Sequence, residues 1–489
     1  MKRICSTRLA IVSSVALALA ACAYTSSRPR YGGTLRVEMR ERVNSMNPRD
    51  WFAGTPDSLA ADRLLSQVFE RLVALDDSGQ IVPSLAIAWQ HDANFMRWEF
   101  VLREGVKFHD GSPLTADAAA AALNAESSGR WSAKAEAQHI ILTFDSPRPD
   151  LLAEFAAGKS YIFHANGDSV FGTGPFRISD WQSQKRLVLA ANDDAWTGRP
   201  FADRVEVRLG VTPQQQILDL ELGSADIIEV EPNLARRAGQ SNTRVAASQP
   251  AELLAVEFSA GPEVSDPRLR RAISLAIDRA SIVNVLLQRQ GEPAASLLPQ
   301  WLSGYAFVFS AAPNVALAKE IRTEVGSTAP LTLVYDGGDP VAALIASRIA
   351  VNARDAGIMI NTAMESSGRE SHAGLRLVRR RLSPPDAESA LSGLLAQFEL
   401  ARAQAIAVRP ELSTAQQRYE AERNAIAAGN VIPIAFLPEL SAAAPSVHDW
   451  TAPRWGEWRL ADAWLEGAPL SSQSNAGNSD IDRPNHNRQ

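Results

Sequence analysis

The first 22 residues constrain this chain most. Lys2, Arg3 and Arg8 make a positive start, no acidic residue precedes Glu38, and Leu9 to Ala21 is a 13-residue run of apolar and small side chains. A helix needs about 20 apolar residues to cross a hydrocarbon core of roughly 30 Å, so this run has the size of a signal-peptide core rather than of a spanning segment. It closes in Leu19-Ala20-Ala21-Cys22, a lipoprotein-type motif: small residues open the backbone to a peptidase and the thiol takes the lipid. The expectation is a signal peptide over 1–21 and a chain exported to the periplasmic or extracytoplasmic side, held on the membrane through lipid at Cys22.

That reading dictates how the body is held together. Cys5 lies in the segment to be removed, which leaves Cys22 as the one remaining cysteine. No intramolecular disulfide is then possible, even in an oxidising compartment, and stability rests on core burial. With 489 residues, 46% of them hydrophobic and 21% charged, two or three lobes are expected. A net charge of −6 supplies no basic face for nucleic acid. Residues 22–30 read as a tether, and 471–489, rich in Ser, Asn and Asp, as a disordered tail.

Periodicity points to a mixed α/β body. Leu35, Val37 and Met39 alternate with Thr34, Arg36 and Glu38, and Val205, Val207 and Leu209 with Arg204, Glu206 and Arg208, as half-buried strands do. Thr115 is placed to cap a helix over Ala118 to Asn124. Ser413 or Thr414 caps another running to Ala428, which Gly429 stops. There is no GxSxG elbow (Gly167 to Gly172 reads GDSVFG), no HExxH, no P-loop and no GxGxxG, so no enzyme is expected. Seven scattered histidines lack metal-ligand spacing, so neither a metal nor another cofactor is expected.

Several segments, in order, resemble the family 5 solute-binding proteins, the peptide and nickel receptors of ABC importers. They are YGGTLRVEM from Tyr31, NSMNP from Asn44, VFERLVALDDSGQIVPSLAIAW from Val68, and WEFVLREGVKFHDGSPLTADAAAAALN from Trp98. GTGPFRISDW from Gly172, ANDDAWTGRP from Ala191 and DPRLRRAISLAIDRASIV from Asp266 continue the series. Most of these residues read as scaffold. Gly172, Gly174 and Pro175 are expected at a crossing that needs strained φ and a stiff entry, and Arg270, Arg271, Asp278 and Arg279 as ion pairs on a helix. The resemblance implies a type II periplasmic binding protein-like fold, with two main lobes, a smaller additional domain and a ligand cleft between lobes. Lobe I would comprise 31–50, 172–265 and 445–470, lobe II 51–171 and lobe III 266–444. It implies a monomer that captures a peptide and delivers it to ABC permease transmembrane subunits. Another small solute (a metal chelate or an oligosaccharide) and a degenerate receptor with a sensing or scaffold role are the alternatives.

The likeness weakens after about residue 285. LRLVRRRLSPPDAESAL, from Leu375, replaces an aromatic-rich segment, and only Asp386 lies near the carboxylate that peptide receptors pair with a ligand's ammonium. Glu257 stands where an Asn is usual. The resemblance therefore makes Asp386, Trp301, Trp455 and Glu257 the ligand-binding residues to examine. Trp450 and Trp458 are core or cleft residues, and Arg376, Arg379, Arg380 and Arg381 either meet a ligand carboxylate or decorate a solvated strand edge.

Overall fold

The computed structural model describes residues 29–50, 58–76, 79–127, 129–157, 160–167, 169–241, 243–258, 264–326, 329–339, 341–365, 374–382, 387–398, 412, 414–429, 431–451 and 458–467. Cys22, Asp386 and Trp455 lie outside them. No described helix is long and apolar enough to cross a membrane. In chain order the strands that matter are β1 (Thr34–Glu38), β2 (Ala86–His91), β3 (Arg97–Leu102), β4 (Ser132–Glu136), β5 (His139–Thr143), β6 (Phe176–Gln182) and β7 (Arg186–Ala191). They continue as β8 (Arg204–Arg208), β9 (Ile227–Val230), β10 (Arg244–Phe258), β11 (Leu331–Tyr335), β12 (Ile360–Met364), β13 (Leu375–Arg381) and β14 (Val431–Ala443). The helices are α1 (Ser58–Leu65), α2 (Ala116–Ser127), α3 (Pro213–Glu221), α4 (Pro267–Ala276), α5 (Val315–Val325), α6 (Ala342–Asp355), α7 (Ala387–Gln397) and α8 (Ala415–Ala427).

One eleven-stranded sheet runs β6-β7-β8-β1-β9-β14-β10-β13-β11-β12, with the short Glu292–Pro293 strand paired to β14. The expected alternation of β1 and β8 is realised: they pair in parallel, Leu35 against Val205 and Val37 against Val207, all fully buried. The expected helices form too. Thr115 Oγ1 accepts from Ala118 N at 3.2 Å, and Thr414 and Gln417 close a reciprocal capping box on α8.

The two halves of the sheet share strands β10 and β14. Arg244 to Ala247 pair with Leu440 to Ala443 beside β9, and Glu252 to Glu257 pair with Val431 to Leu437 beside β13. Register slips between the two stretches, where Pro250 faces Pro438. Proline removes a ladder donor, so neither strand binds its neighbour continuously there, and the pair can bend. Apolar residues of β1, β8 and β9 belong to one core with Trp450 and Trp458, while those of β11 and α4–α6 form another.

A separate four-stranded sheet, β2-β3-β5-β4, carries α2 and joins the first half through a junction built from the glycine-rich segments. His109 N donates to Gly172 O at 2.9 Å, while His109 Nε2 lies 3.0 Å from Gly174 O. Gly174 N donates to Val68 O, and Glu70 accepts from Thr173 Oγ1 and Trp196 Nε1. Burial lowers the His109 imidazole to about 4 and pushes the Glu70 carboxyl up to about 7. The glycines do not serve strained φ here: neither Gly172 nor Gly174 has φ > 0. They are needed for proximity, since a Cβ on Gly172 would lie 1.9 Å from Val68 O.

In the second half helices cover both faces of the sheet, α4–α6 on one and α7 and α8 on the other. Two expectations are corrected. Strand β13 is flanked on both sides at Leu375–Arg376, by β10 and β11; Arg379 to Arg381 pair with β10 alone among the described residues, but each is partly buried against a carboxylate rather than spread on a solvated edge. Arg279 forms no ion pair among the described residues: it is buried and donates to Pro433 O at 2.8 Å and to Ser274 O at 3.0 Å. It thereby ties the end of α4 to β14, and burial lowers its guanidinium to about 10.

Candidate functional site

Strands alternate their side chains, so a single charge inside an apolar strand is aimed at one face. Glu229 in β9, Glu252 in β10 and Glu439 in β14 are such charges, and in β13 Arg379 and Arg381 share one face while Arg380 takes the other. The sheet order brings them together where the two halves meet. Arg63 arrives from α1 and Arg40 from just beyond β1, with Glu231 following β9 and Asp339 following β11.

Four guanidiniums and six carboxylates form two ion-paired clusters, joined into one network through the backbone N–H of Arg40. Arg63 bridges Glu229 and Glu439, and Arg381 also pairs with Glu439. Arg40 pairs with Glu231 and with Glu41 at 2.8 Å, and its backbone N–H donates to Glu229 at 2.7 Å. Arg379 reaches three segments at once: Asp339 at 2.8 Å, Glu231 at 3.6 Å and Glu252 at 3.9 Å. The hydrogen bonding is incomplete around that residue. Arg379 Nε and Nη2 and Glu231 Oε2 are buried without a hydrogen bond, although all three lie near opposite charge. Glu252, its side chain 26% exposed, has the 3.9 Å contact as its single ion pair among the described residues.

Electrostatics follow from burial opposed by these partners. Burial works to raise Glu439, but Arg381 and Arg63 outweigh it and hold the carboxyl below its usual range. For Glu229 burial wins over Arg63 and Arg40, and for Glu252 it wins over Arg379, helped by Glu439; both are pushed up. Burial disfavours the Arg379 charge, yet Asp339, Glu231 and Glu252 hold it more firmly protonated than usual. Such an arrangement moves no electron pair and activates no nucleophile. It places partly exposed charges, Arg40, Glu252 and Arg381 among them, where the two halves of the sheet meet.

The residues singled out from sequence fall in different places. Trp301 is half-buried beside the proline crossing, its Nε1 donating to Pro250 O at 3.3 Å. Glu257 is on the opposite face of β10 from Glu252, paired with Arg380 at 2.6 Å. Arg376 pairs with Glu365 at 3.0 Å, so all four arginines of β13 meet carboxylates of this chain. Trp450 and Trp458 are buried in the first core. Sequence reasoning missed Arg40, Arg63, Glu229, Glu231, Glu252, Asp339 and Glu439. The one local signal was a charge set between apolar residues, as in Ile227-Ile228-Glu229-Val230 and Leu437-Pro438-Glu439-Leu440.

Comparison with known proteins gives this geometry a context. Residues 80–395 match the bacterial extracellular solute-binding proteins, family 5 (Middle). The nickel-binding periplasmic protein of Escherichia coli K12 is 24% identical over 407 residues, covering 72% of this chain and 76% of that one. The probable D,D-dipeptide-binding periplasmic protein DdpA of the same organism is 26% identical over 311 residues, 56% of this chain; the chain spans 60% of its length. The crystal structure of a dipeptide-binding protein from Pseudoalteromonas sp. SM9913 in complex with Met-Leu superposes with a TM-score of 0.73 at 17% identity, covering 89% of this chain and 100% of that one.

Proposed function

The chain belongs to the family 5 bacterial extracellular solute-binding proteins, which are not enzymes, and on that footing we propose that it captures a peptide between its lobes and delivers it to an ABC permease. What supports a cleft there is the charged network, which lies where the two halves of the sheet meet and the bendable strands β10 and β14 pass from one to the other. A ligand entering such a gap favours the closed form by its differential affinity, which raises the melting temperature by mass action. The dipeptide-binding relatives support a peptide cargo. A chelated metal is the second reading, supported by the likeness to the nickel-binding protein. No three His, Cys, Asp or Glu side chains are grouped to hold a bare metal ion among the described residues.

Calorimetry with a mixed tri- to pentapeptide pool tests this proposal. Free-amine peptides should bind and raise the melting temperature. If Asp386 receives the ligand ammonium, Asp386→Ala should weaken them at least tenfold, about 1.4 kcal/mol. N-acetylated peptides should then bind wild type and variant equally poorly. No binding by either pool discards the peptide cargo; binding indifferent to both changes discards Asp386 alone.

Attachment is the other half of the proposal. Cleavage before Cys22 and acylation there would give two or more acyl chains, enough for a stable anchor where one chain is marginal. Cys22→Ala should shift the protein from the membrane to the soluble fraction or leave it unprocessed. An intact mass showing an unlipidated mature N-terminus elsewhere would discard the anchor.

A further inference from the structure

We propose that the cleft selects solutes carrying a positive charge beyond a terminal ammonium, such as the side chain of an Arg or Lys residue, seated against Glu252 on β10. The inference rests on the solute-binding reading above and specifies its substrate class. It starts from an imbalance. With every group ionised, four guanidiniums face six carboxylates, so the network holds an excess of two negative charges among the described residues. An excess of that kind in a partly buried place draws in either a proton or a cation.

The excess is also localised. Asp339 accepts from the backbone N–H groups of Val341 and Ala342 as well as facing Arg379. Glu229 and Glu439 are each held by Arg63 and by a second donor, Arg40 N or Arg381. Among the described residues the shortfall lies at Glu231, 8% exposed with one oxygen 3.6 Å from Arg379 and in no hydrogen bond, and at Glu252, whose one ion pair is the 3.9 Å contact with Arg379. Beside them, Arg379 Nε and Nη2 face Asp339 at 2.8 Å and Glu231 at 3.6 Å without completing a hydrogen bond to either. A cation with donors of its own would complete the two carboxylates. A carbonyl next to it would satisfy Arg379. A basic residue within a peptide offers both groups a few bonds apart.

The charges facing Glu252 are Arg379, Arg381, Arg40 and Glu439, with Arg63 on the far side of Glu439. Burial and Glu439 together make its carboxyl hold a proton more tightly than usual. A bound cation would favour the ionised form, so binding releases that proton and weakens as pH falls.

The test is calorimetry on the purified protein at pH 7.5 and low salt, with Ala-Ala-Ala, Ala-Arg-Ala and Ala-Glu-Ala, and with agmatine as a cation lacking a peptide bond. Ala-Arg-Ala should bind at least tenfold tighter than Ala-Ala-Ala, and Ala-Glu-Ala weaker than either. Glu252→Gln should narrow the first gap to under threefold. If that variant does not fold, shrinkage of the gap on wild type between pH 7.5 and pH 5 carries the same prediction. Equal binding of the three tripeptides overturns the charge selection and leaves the peptide reading standing. Agmatine binding without any tripeptide supports the cation seat and overturns the peptide. A gap untouched by Glu252→Gln in a folded variant overturns Glu252 as the seat, and no binding by any of the four overturns both readings.

Discussion

Gly172→Ala is expected to leave little folded protein, the largest effect of any single methyl group we foresee in this molecule. The added Cβ would lie 1.9 Å from Val68 O, 2.7 Å from Val68 C and 2.8 Å from Phe69 Cδ1. Two of these atoms are backbone, so no rotamer change relieves the overlap and the two chains must part. Parting them strains Gly174 N to Val68 O and Phe176 N to Gln67 O, both 3.0 Å, and His109 N to Gly172 O. Overpacking alone costs about 1–3 kcal/mol, and each of three strained buried hydrogen bonds adds about 1 kcal/mol. A loss of about 4 kcal/mol or more is a large part of the 5–15 kcal/mol that holds a typical domain. Gly239→Ala is the control, because Gly239 has a negative φ and only a 3.8 Å neighbour. Soluble yield and thermal melts of the two variants check the prediction. Gly172→Ala melting within a few degrees of Gly239→Ala would show that the junction yields more readily than its geometry implies.

That junction shows what the sequence made legible. The FHDGSP and GTGPF segments stood out because glycine and proline punctuate a chain, and punctuation is a local property. Their partners were legible only as scaffold, and the physical reason differed from the expected one: close approach to Val68 rather than strained φ. The family and the α/β class followed in the same way, from ordered local segments. The charged network is the opposite case. Glu229, Glu252, Arg379 and Glu439 are scattered through the chain, and only the strand order β9-β14-β10-β13 makes them neighbours. Sequence reasoning settled on Glu257 and on the arginine run as a block. Yet Glu252 and Glu257, an odd number of residues apart in one strand, face opposite sides, as do Arg379 and Arg380. A period of two divides residues that look equivalent in a string, and which half joins the charged network depends on the sheet that forms around them.

The second large effect is expected at Arg63, whose side chain is 7% exposed and lies between Glu229 and Glu439, with its guanidinium 5.0 Å from the Trp458 ring centroid. Arg63→Met keeps much of the packing over Trp458 but leaves two carboxylates facing one another in a confined place. Breaking a buried pair this way costs about 3–5 kcal/mol, because the charge left behind has neither water nor a partner. Glu439 retains Arg381, so Glu229 carries most of the penalty. The loss must depend on pH. In wild type Arg381 and Arg63 hold Glu439 below its usual range, which contributes stability at neutral pH that fades as pH falls. In the variant both carboxyls rise in the folded state. A carboxyl raised on folding gives stability that is complete below its unfolded value, near 4.3, and is lost as pH climbs through the folded value. The two trends run in the same direction, so the gap between wild type and variant should be small at pH 4.5 and should open to its full size by pH 7.5. Glu229→Gln added to Arg63→Met removes the unpaired charge and should recover at least 1 kcal/mol, roughly a fivefold change in the folded fraction. Urea unfolding of the three proteins at the two pH values measures this. A deficit of the same size at both would mean that Arg63 acts through packing on Trp458, and that the network between the two halves contributes little to holding them together.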